Sequence, residues 1–67
     1  MEPRLTKLAQ RIREEFEEAP GLRITVREAS RFWGLDEDTC GLVLAHLQTT
    51  GFLAKDGTER YCQIALS

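Results

Sequence analysis

Residues Thr25–Gly51 read TVREASRFWGLDEDTCGLVLAHLQTTG, and this stretch predicts two helices joined at Gly34. Thr25 and Glu28 have the spacing of a capping box, in which each side chain binds the free backbone amide of the other residue, so a helix should begin after Thr25. Gly34 suits the left-handed residue that ends many helices, and Asp36 suits the N-cap of the next one. Gly51 then ends the second helix of the pair. Two short helices joined by a turn of about three residues form a helix-turn-helix.

The spacing of apolar residues predicts which sides of these two helices face the core. In the helix expected between about residues 26 and 33, the buried side should contain Ala29, Phe32 and Trp33. In the helix expected between about residues 37 and 50, the spacing i, i+3, i+4, i+7 gives an inward stripe of Cys40, Val43, Leu44 and Leu47. The opposite face of that helix then carries Asp38, Leu42, Ala45, His46 and Thr49.

The flanking segments predict a first helix and a C-terminal hairpin. Between about residues 4 and 18, one helical stripe contains Leu5, Leu8, Ala9, Ile12 and Phe16, and a solvated face carries charged residues such as Lys7 and Arg11. Pro20 ends this helix, and the alternation from Leu22 to Val26 allows a short extended segment. From about residue 52 to residue 66, the sequence predicts two antiparallel strands around a tight Asp56-Gly57 turn.

The length and composition of the chain limit the classes of function that it can have. The 67 residues predict one domain over positions 1–67, too small for a deep catalytic cavity. No apolar run reaches the length of a membrane span, and the charged N-terminal residues lack the apolar core of a signal peptide, so we expect a cytoplasmic protein without membrane contact. Cys40 and Cys62 lack metal-ligand spacing and should be reduced. The net charge of −2 argues against tight, non-specific DNA binding but leaves a local basic face open.

Catalysis is not indicated by any group of residues. His46 is the only histidine, and no cysteine, serine or carboxylate has a spacing that demands a shared site with it. A phosphate-binding glycine loop and a metal-binding motif are both missing from the sequence. We therefore expect no enzyme activity, no cofactor, no metal site and no small-molecule substrate.

The predicted order of elements is helix, short strand, helix, turn, helix and two-stranded hairpin. In this order the chain resembles the winged helix-turn-helix family over about residues 5 to 65. The resemblance is carried by Ile24-Thr25, Ala29, Trp33-Gly34-Leu35, Leu44, Leu47, Gly51-Phe52-Leu53 and Asp56-Gly57. It implies an α+β, mainly helical fold with three helices and a C-terminal β-hairpin wing.

The same resemblance implies that the third helix lies in the major groove of double-stranded DNA and that the wing touches the backbone or the minor groove. Carried over by position, the face toward the major groove contains Asp38, Thr39, Leu42, Ala45, His46 and Thr49, and Lys55 and Arg60 flank the tip of the wing. If the domain binds DNA, Arg23, Arg27 and Arg31 should contact phosphates, since Arg27 and Arg31 are four positions apart and share one side of the second helix. Of these residues, we expect Arg27, Arg31, Thr39, His46, Thr49, Lys55 and Arg60 to contact the nucleic acid. The third helix departs from the family pattern, because it contains no Lys or Arg. It presents Leu42 and Ala45 where side chains that bind base edges are usual.

Two functions therefore stay open. The first is a small transcriptional regulator that binds double-stranded DNA, with a homodimer as one working form. The second is a protein-interaction winged helix without DNA binding, in which Phe32, Leu42 and Ala45 form an apolar surface for a protein partner or a second copy. Leu42 could instead lie under the wing, and then this surface would not exist.

Overall fold

The computed structural model describes residues 2–64 as three helices and a small antiparallel sheet. In chain order the elements are α1 (Pro3–Glu18), β1 (Arg23–Ile24), α2 (Val26–Trp33), α3 (Glu37–Thr49), β2 (Leu53–Lys55) and β3 (Tyr61–Gln63). This α+β, mainly helical arrangement is consistent with a winged helix, so the predicted fold class is confirmed. The helix boundaries agree with the predicted ones to within a residue at each end.

α2 begins at a complete capping box. The Thr25 hydroxyl accepts a hydrogen bond from the Glu28 amide at 3.1 Å, and the Glu28 carboxylate accepts one from the Thr25 amide at 3.0 Å. α3 begins in a similar way, since the Asp36 carboxylate accepts a hydrogen bond from the Thr39 amide at 2.9 Å. These bonds satisfy backbone donors at the first turn of each helix, and they confirm both predicted caps.

Gly34 turns the chain between α2 and α3. Its φ of 67° lies in the left-handed region, and the Leu35 amide donates to the Ser30 carbonyl at 2.9 Å. This bond belongs to the Schellman motif, which closes the last turn of a helix and lets the chain leave it sharply. The predicted helix stop at Gly34 is therefore confirmed.

Gly51 ends α3 with the same motif. Its φ is 85°, the Phe52 amide donates to the Leu47 carbonyl at 3.0 Å, and the Gly51 amide donates to the Gln48 carbonyl at 3.0 Å. The chain then returns to the core at once. The ring of Phe52 meets the ring of Phe16 edge-on, with 6.5 Å between their centroids.

One core joins the helices to the sheet. Phe16 of α1 is fully buried, and its ring centroid lies 6.1 Å from that of Trp33. The inward stripe predicted on α3 is confirmed, because all four of its members are buried. On α1 the end of the stripe near Phe16 is buried, while Leu5 and Leu8 are half-buried. The buried apolar side chains are Ala9, Ile12, Phe16, Ile24, Ala29, Cys40, Val43, Leu44, Leu47, Leu53 and Tyr61.

The sheet has the strand order β1-β3-β2, and both strand pairs are antiparallel. β1 pairs with β3 through Arg23 opposite Cys62 and Ile24 opposite Tyr61. The extended segment predicted before α2 is thus part of the sheet. Ile24 and Tyr61 are both buried, so the face that carries them packs on the helices.

The turn of the hairpin differs from the prediction. The prediction of a tight two-residue turn at Asp56-Gly57 is wrong, because the connection between β2 and β3 extends from Asp56 to Arg60. The Asp56 carboxylate accepts hydrogen bonds from the amides of Thr58 at 2.8 Å and Arg60 at 3.1 Å. The left-handed residue is Glu59, with a φ of 63°. The Asp56 side chain thus stabilises a wider loop that competes with the tight turn.

We call the hairpin formed by β2, β3 and their connection the wing. Its strands are shorter than the predicted span of about 52 to 66. Ala65 and Leu66, the last two residues of that span, lie outside the described residues.

Phe32 does not belong to the buried side of α2, contrary to the prediction. Its side chain is 66% exposed, whereas Ala29 is buried and Trp33 is half-buried. Successive helical residues point about 100° apart. Phe32 therefore lies to one side of Trp33, and the Trp33 ring takes the inward position against Phe16.

Replacing Gly34 with alanine should lower the free energy of unfolding by about 1 to 2 kcal/mol, because a Cβ disfavours the left-handed conformation. Gly57→Ala is the matched control. A Cβ meets no atom within 4 Å at either position, but only Gly34 has a positive φ. Urea unfolding of both variants measures the difference, and equal losses would show that the left-handed turn is not what Gly34 provides.

Candidate interaction site

The outward side of α3 carries Asp38, Leu42, Ala45 and Thr49, and we call these residues the outer strip. They lie opposite the buried stripe of the same helix. Leu42 is 59% exposed, so it does not lie under the wing. Ala45 and Thr49 are also exposed, and the Thr49 hydroxyl donates to the Ala45 carbonyl at 3.0 Å. The strip is apolar at its centre and contains no cation.

The first turn of α3 is acidic. Asp36, Glu37 and Asp38 are all exposed there, where negative charge is favourable for the helix dipole. The hydrogen bond from the Thr39 amide holds the pKa of Asp36 below its ordinary value. A DNA phosphate approaching this end of the helix would therefore meet like charges.

His46 is exposed at the edge of α3 and lines a groove between α3 and α1. The groove has a volume of about 360 Å³ and is lined by Thr6, Ala9, Gln10, Arg13, Glu14, Glu17, His46, Leu47 and Thr50. Two of these residues are glutamates and one is an arginine. His46 therefore faces mixed charges from α1, beside the outer strip rather than on it.

Arg27 and Lys55, two of the predicted phosphate contacts, line one hollow between α2, α3 and the wing. The hollow has a volume of about 270 Å³, and Glu37 and Glu59 also line it. Two cations are thus matched by two carboxylates. The Lys55 ammonium lies 5.8 Å from the centroid of the Tyr61 ring, within the range of a cation–π contact.

The other predicted phosphate contacts lie outside this hollow. Arg31 and Arg60 are exposed on α2 and on the wing. The pKa of Glu28 is lowered chiefly by its hydrogen bond with the Thr25 amide, and the charge of Arg60 lowers it further. Arg23 pairs with Asp56 across the sheet, with 3.8 Å between its Nη1 and the Asp56 Oδ2. The basic residues near the wing therefore face carboxylates of the same domain.

Thr39 and the α2–α3 turn form one wall of a groove that sequence reasoning missed. The opposite wall is the first half of α1, with the cations Arg4, Lys7 and Arg11. The groove has a volume of about 520 Å³ and is lined by Arg4, Leu5, Lys7, Leu8, Arg11, Leu35, Asp36 and Thr39. We call it the basic groove, because three cations and one carboxylate line it.

The spacing of Arg4, Lys7 and Arg11 was a visible signal for one side of this groove. Residues three and four positions apart lie on one side of a helix, so the three cations could be grouped from the sequence. The other side could not be found in this way. Leu35 and Asp36 reach the groove only through the packing of the α2–α3 turn on α1.

Phe32, which the sequence grouped with Leu42 and Ala45, lies in a row of aromatic rings. Its ring centroid is 5.5 Å from that of Trp33, which in turn packs on Phe16. The Trp33 indole also donates to the Glu15 carboxylate at 3.2 Å. Phe32 is thus an exposed ring that rests on a partly buried one, while Leu42 and Ala45 form the apolar part of the outer strip.

Comparison of the chain with protein-family models, with curated proteins and with solved structures found no match. Within residues 2–64, no group of three or more potential ligands is arranged to hold a metal ion. In the same part of the chain, none of the helices is long and apolar enough to cross a membrane.

Acidification should destabilise the domain through its two helix caps and the loop of the wing. Hydrogen bonds from backbone amides lower the pKa values of Glu28 and Asp36. The pKa of Asp56 is lowered chiefly by the Thr58 hydroxyl and further by backbone amides. A carboxylate whose pKa is lower in the folded state contributes stability above its unfolded pKa of about 4 and loses it as the pH falls through the folded value. The free energy of unfolding should therefore decrease from about pH 5 to about pH 2.

The variant Asp36→Asn isolates the α3 cap in this pH dependence. Asparagine still accepts the bond from the Thr39 amide but does not titrate, so this variant should lose less stability on acidification than the wild type. Asp38→Asn removes the same charge from the same turn without altering the cap. Chemical denaturation at several pH values measures all three proteins. An unchanged slope in Asp36→Asn would contradict the assignment.

Proposed function

We propose that this domain binds protein through the outer strip of α3. The observation that carries the proposal is Leu42, which is 59% exposed in the middle of the helix and follows an acidic first turn. An amphipathic helix on a free domain usually keeps its outward face polar. A contiguous apolar patch with a polar rim is typical of a protein-binding surface, and the exposed Ala45 extends the apolar surface of Leu42 along the same side of α3.

The energetic argument favours an apolar partner surface at the centre of the strip. Burying a leucine side chain completely contributes about 1.5 to 3 kcal/mol, and more than half of the Leu42 surface is still available for burial. Ala45, one turn further along, adds a small side chain that allows close approach. Asp38 provides a charged rim at the N-terminal end of the strip.

Base recognition by α3 is less well supported. Discrimination between bases usually comes from Arg, Lys, Asn or Gln at the groove, at about 1 to 3 kcal/mol for each good bidentate contact. The outer strip offers an aspartate, a leucine, an alanine and a threonine instead. The Thr49 hydroxyl is already hydrogen-bonded within its own helix.

Binding to the DNA backbone is the second candidate, and one observation favours it. Arg27 and Lys55 line the same hollow, and Arg31 follows Arg27 by one helical turn. In this mode the cations would contact phosphates without recognising any base. The domain would then act as a small regulator whose sequence specificity does not come from these contacts. Glu37 and Glu59 in the hollow would oppose such contacts.

The proposal includes a cytoplasmic location and no catalytic or cofactor role. Cys40 and Cys62 are free thiols, and reduced thiols are typical of the cytoplasm. Burial raises the pKa of the Cys40 thiol above its ordinary value, which suits a packing role in the core rather than a reactive one.

A capture experiment with two matched variants tests the protein-binding role. Tagged wild type, Leu42→Glu and Gln48→Glu are incubated with a lysate of the source cells, and retained proteins are compared by quantitative mass spectrometry. Both variants add one negative charge at an exposed position of α3. We expect Leu42→Glu to lose a specific partner that Gln48→Glu keeps, because only the first change introduces charge at the apolar centre of the strip. Equal capture by both variants would contradict the proposal.

Titration of a fluorescent DNA duplex at low salt tests the second candidate. Phosphate contacts release counterions, so binding to the DNA backbone would weaken as the salt concentration rises. The logarithm of the association constant would fall linearly with the logarithm of the salt concentration, with a slope of about −0.9 for each phosphate neutralised. We expect no such salt-dependent association, and no difference between the wild type and a variant with both Arg27→Ala and Lys55→Ala. Steep salt dependence that this double variant abolishes would establish DNA binding instead.

A further inference from the structure

We infer that the basic groove receives the outer strip and acidic first turn of α3 from a second copy of this chain, which gives a two-fold symmetric dimer. This inference rests on the proposed function, since it names the partner of the same strip. Its experiment measures self-association and does not depend on capture of another protein.

The basic groove has the chemistry of a receptor for an acidic, partly apolar helix. Arg4, Lys7 and Arg11 are exposed along its α1 wall. Its apolar surface comes from three side chains that remain half-buried, Leu5, Leu8 and Leu35. Among the lining residues only Asp36 is acidic, but Arg4 also pairs with Glu2, with 3.5 Å between the Arg4 Nε and the Glu2 Oε1. Lys7 and Arg11 are therefore the cations on which the groove chiefly depends. The domain as a whole has a net charge of −2, so this local excess of positive charge is a distinct feature of its surface.

The N-terminal half of α3 has the complementary chemistry. Asp38 is exposed in its first turn, and the exposed Leu42 follows one turn later on the same side. Glu37 is also exposed in this turn, where it lines the hollow that contains Arg27 and Lys55. No Lys or Arg occurs between Asp36 and Gly51. Acidic residues followed by an apolar anchor would thus meet cations beside an apolar floor.

The two surfaces are neighbours in one molecule, which is what a two-fold dimer requires. Asp36 and Thr39 line the basic groove and also belong to the first turn of α3, where the outer strip begins. A two-fold axis near this boundary would bring the strip of each copy to the groove of the other. Both contacts would then form at once, as in an isologous interface.

The surface of the domain is large enough for such a contact. A specific interface buries about 800 Å² on each partner, which is roughly a sixth of the 4692 Å² that the chain exposes. Charges at the edge of an interface mainly accelerate association and make it sensitive to salt. Dimerisation should therefore weaken as the ionic strength rises.

Sedimentation velocity of the full chain over a range of concentrations tests the inference. At low salt the wild type should pass from monomer to dimer as its concentration rises. At about 1 M salt, where charges more than about 3 Å apart are screened, the transition should move to higher concentration. A wild type that remains monomeric at low salt and at the highest concentration would overturn the inference.

Charge reversal identifies the two surfaces. One variant carries Lys7→Glu with Arg11→Glu, and the other carries Glu37→Lys with Asp38→Lys. The dissociation constant of each variant dimer should be at least about tenfold higher than that of the wild type, because like charges would meet in both symmetric contacts. An equimolar mixture should recover the dimer, since each altered groove then meets an oppositely charged strip. Failure of the mixture to dimerise would contradict the proposed pairing.

Two further variants exclude misfolding and non-specific charge effects. Glu37→Gln with Asp38→Asn removes the acidic charges without placing lysines at a helix N-terminus, and it should also dimerise less well. Arg31→Glu with Arg60→Glu makes the same charge change as Lys7→Glu with Arg11→Glu, at exposed positions outside the groove. It should dimerise like the wild type. If it loses the dimer equally, the basic groove is not the site.

The outcomes separate this inference from the proposed function. If the wild type is monomeric but Leu42→Glu still loses a captured partner, the strip binds another protein and only the self-association fails. If dimerisation follows the charge-reversal pattern but capture is unaffected by Leu42→Glu, the contact is electrostatic and the apolar centre of the strip is not required.

Discussion

The left-handed turn at Gly34 is the constraint on which the arrangement of this domain depends. It ends α2, and the bond from the Leu35 amide to the Ser30 carbonyl fixes the direction in which the chain leaves that helix. Asp36 then caps α3 two residues after the turn. Because this connection is so short, α3 has little freedom to cross α2 at another angle. Both the outer strip and the basic groove follow from this placement.

The elements predicted correctly are those set by local chemistry. The cap at Thr25, the cap at Asp36 and the stops at Gly34 and Gly51 each depend on hydrogen bonds between residues no more than five positions apart. Such signals are contained in the sequence itself. The inward stripe of α3 was also predictable, because its four apolar residues recur at the i, i+3, i+4, i+7 spacing of one side of a helix.

The errors occur where local signals compete or where contacts are distant in sequence. Asp56-Gly57 favours a tight turn by composition, but the Asp56 carboxylate binds two amides of a wider loop instead. Phe32 and Trp33 are both aromatic, and only packing against Phe16 decided that Trp33 turns inward. The basic groove needs α1 and the α2–α3 turn side by side, which no local pattern specifies. These differences concern the site more than the fold.

A helix-turn-helix architecture does not by itself decide which macromolecule is bound, because function depends on the side chains of the site. Here the helix that would enter a DNA groove presents an acidic first turn and an exposed leucine. An amide NMR spectrum of the isotope-labelled domain, recorded with and without duplex DNA at low salt, tests whether the outer strip of α3 takes part in DNA binding. We predict that the amides of Asp38, Leu42, Ala45 and Thr49 keep their positions. Large shifts concentrated at these four residues would show that α3 binds DNA and would contradict a protein-binding role for the strip.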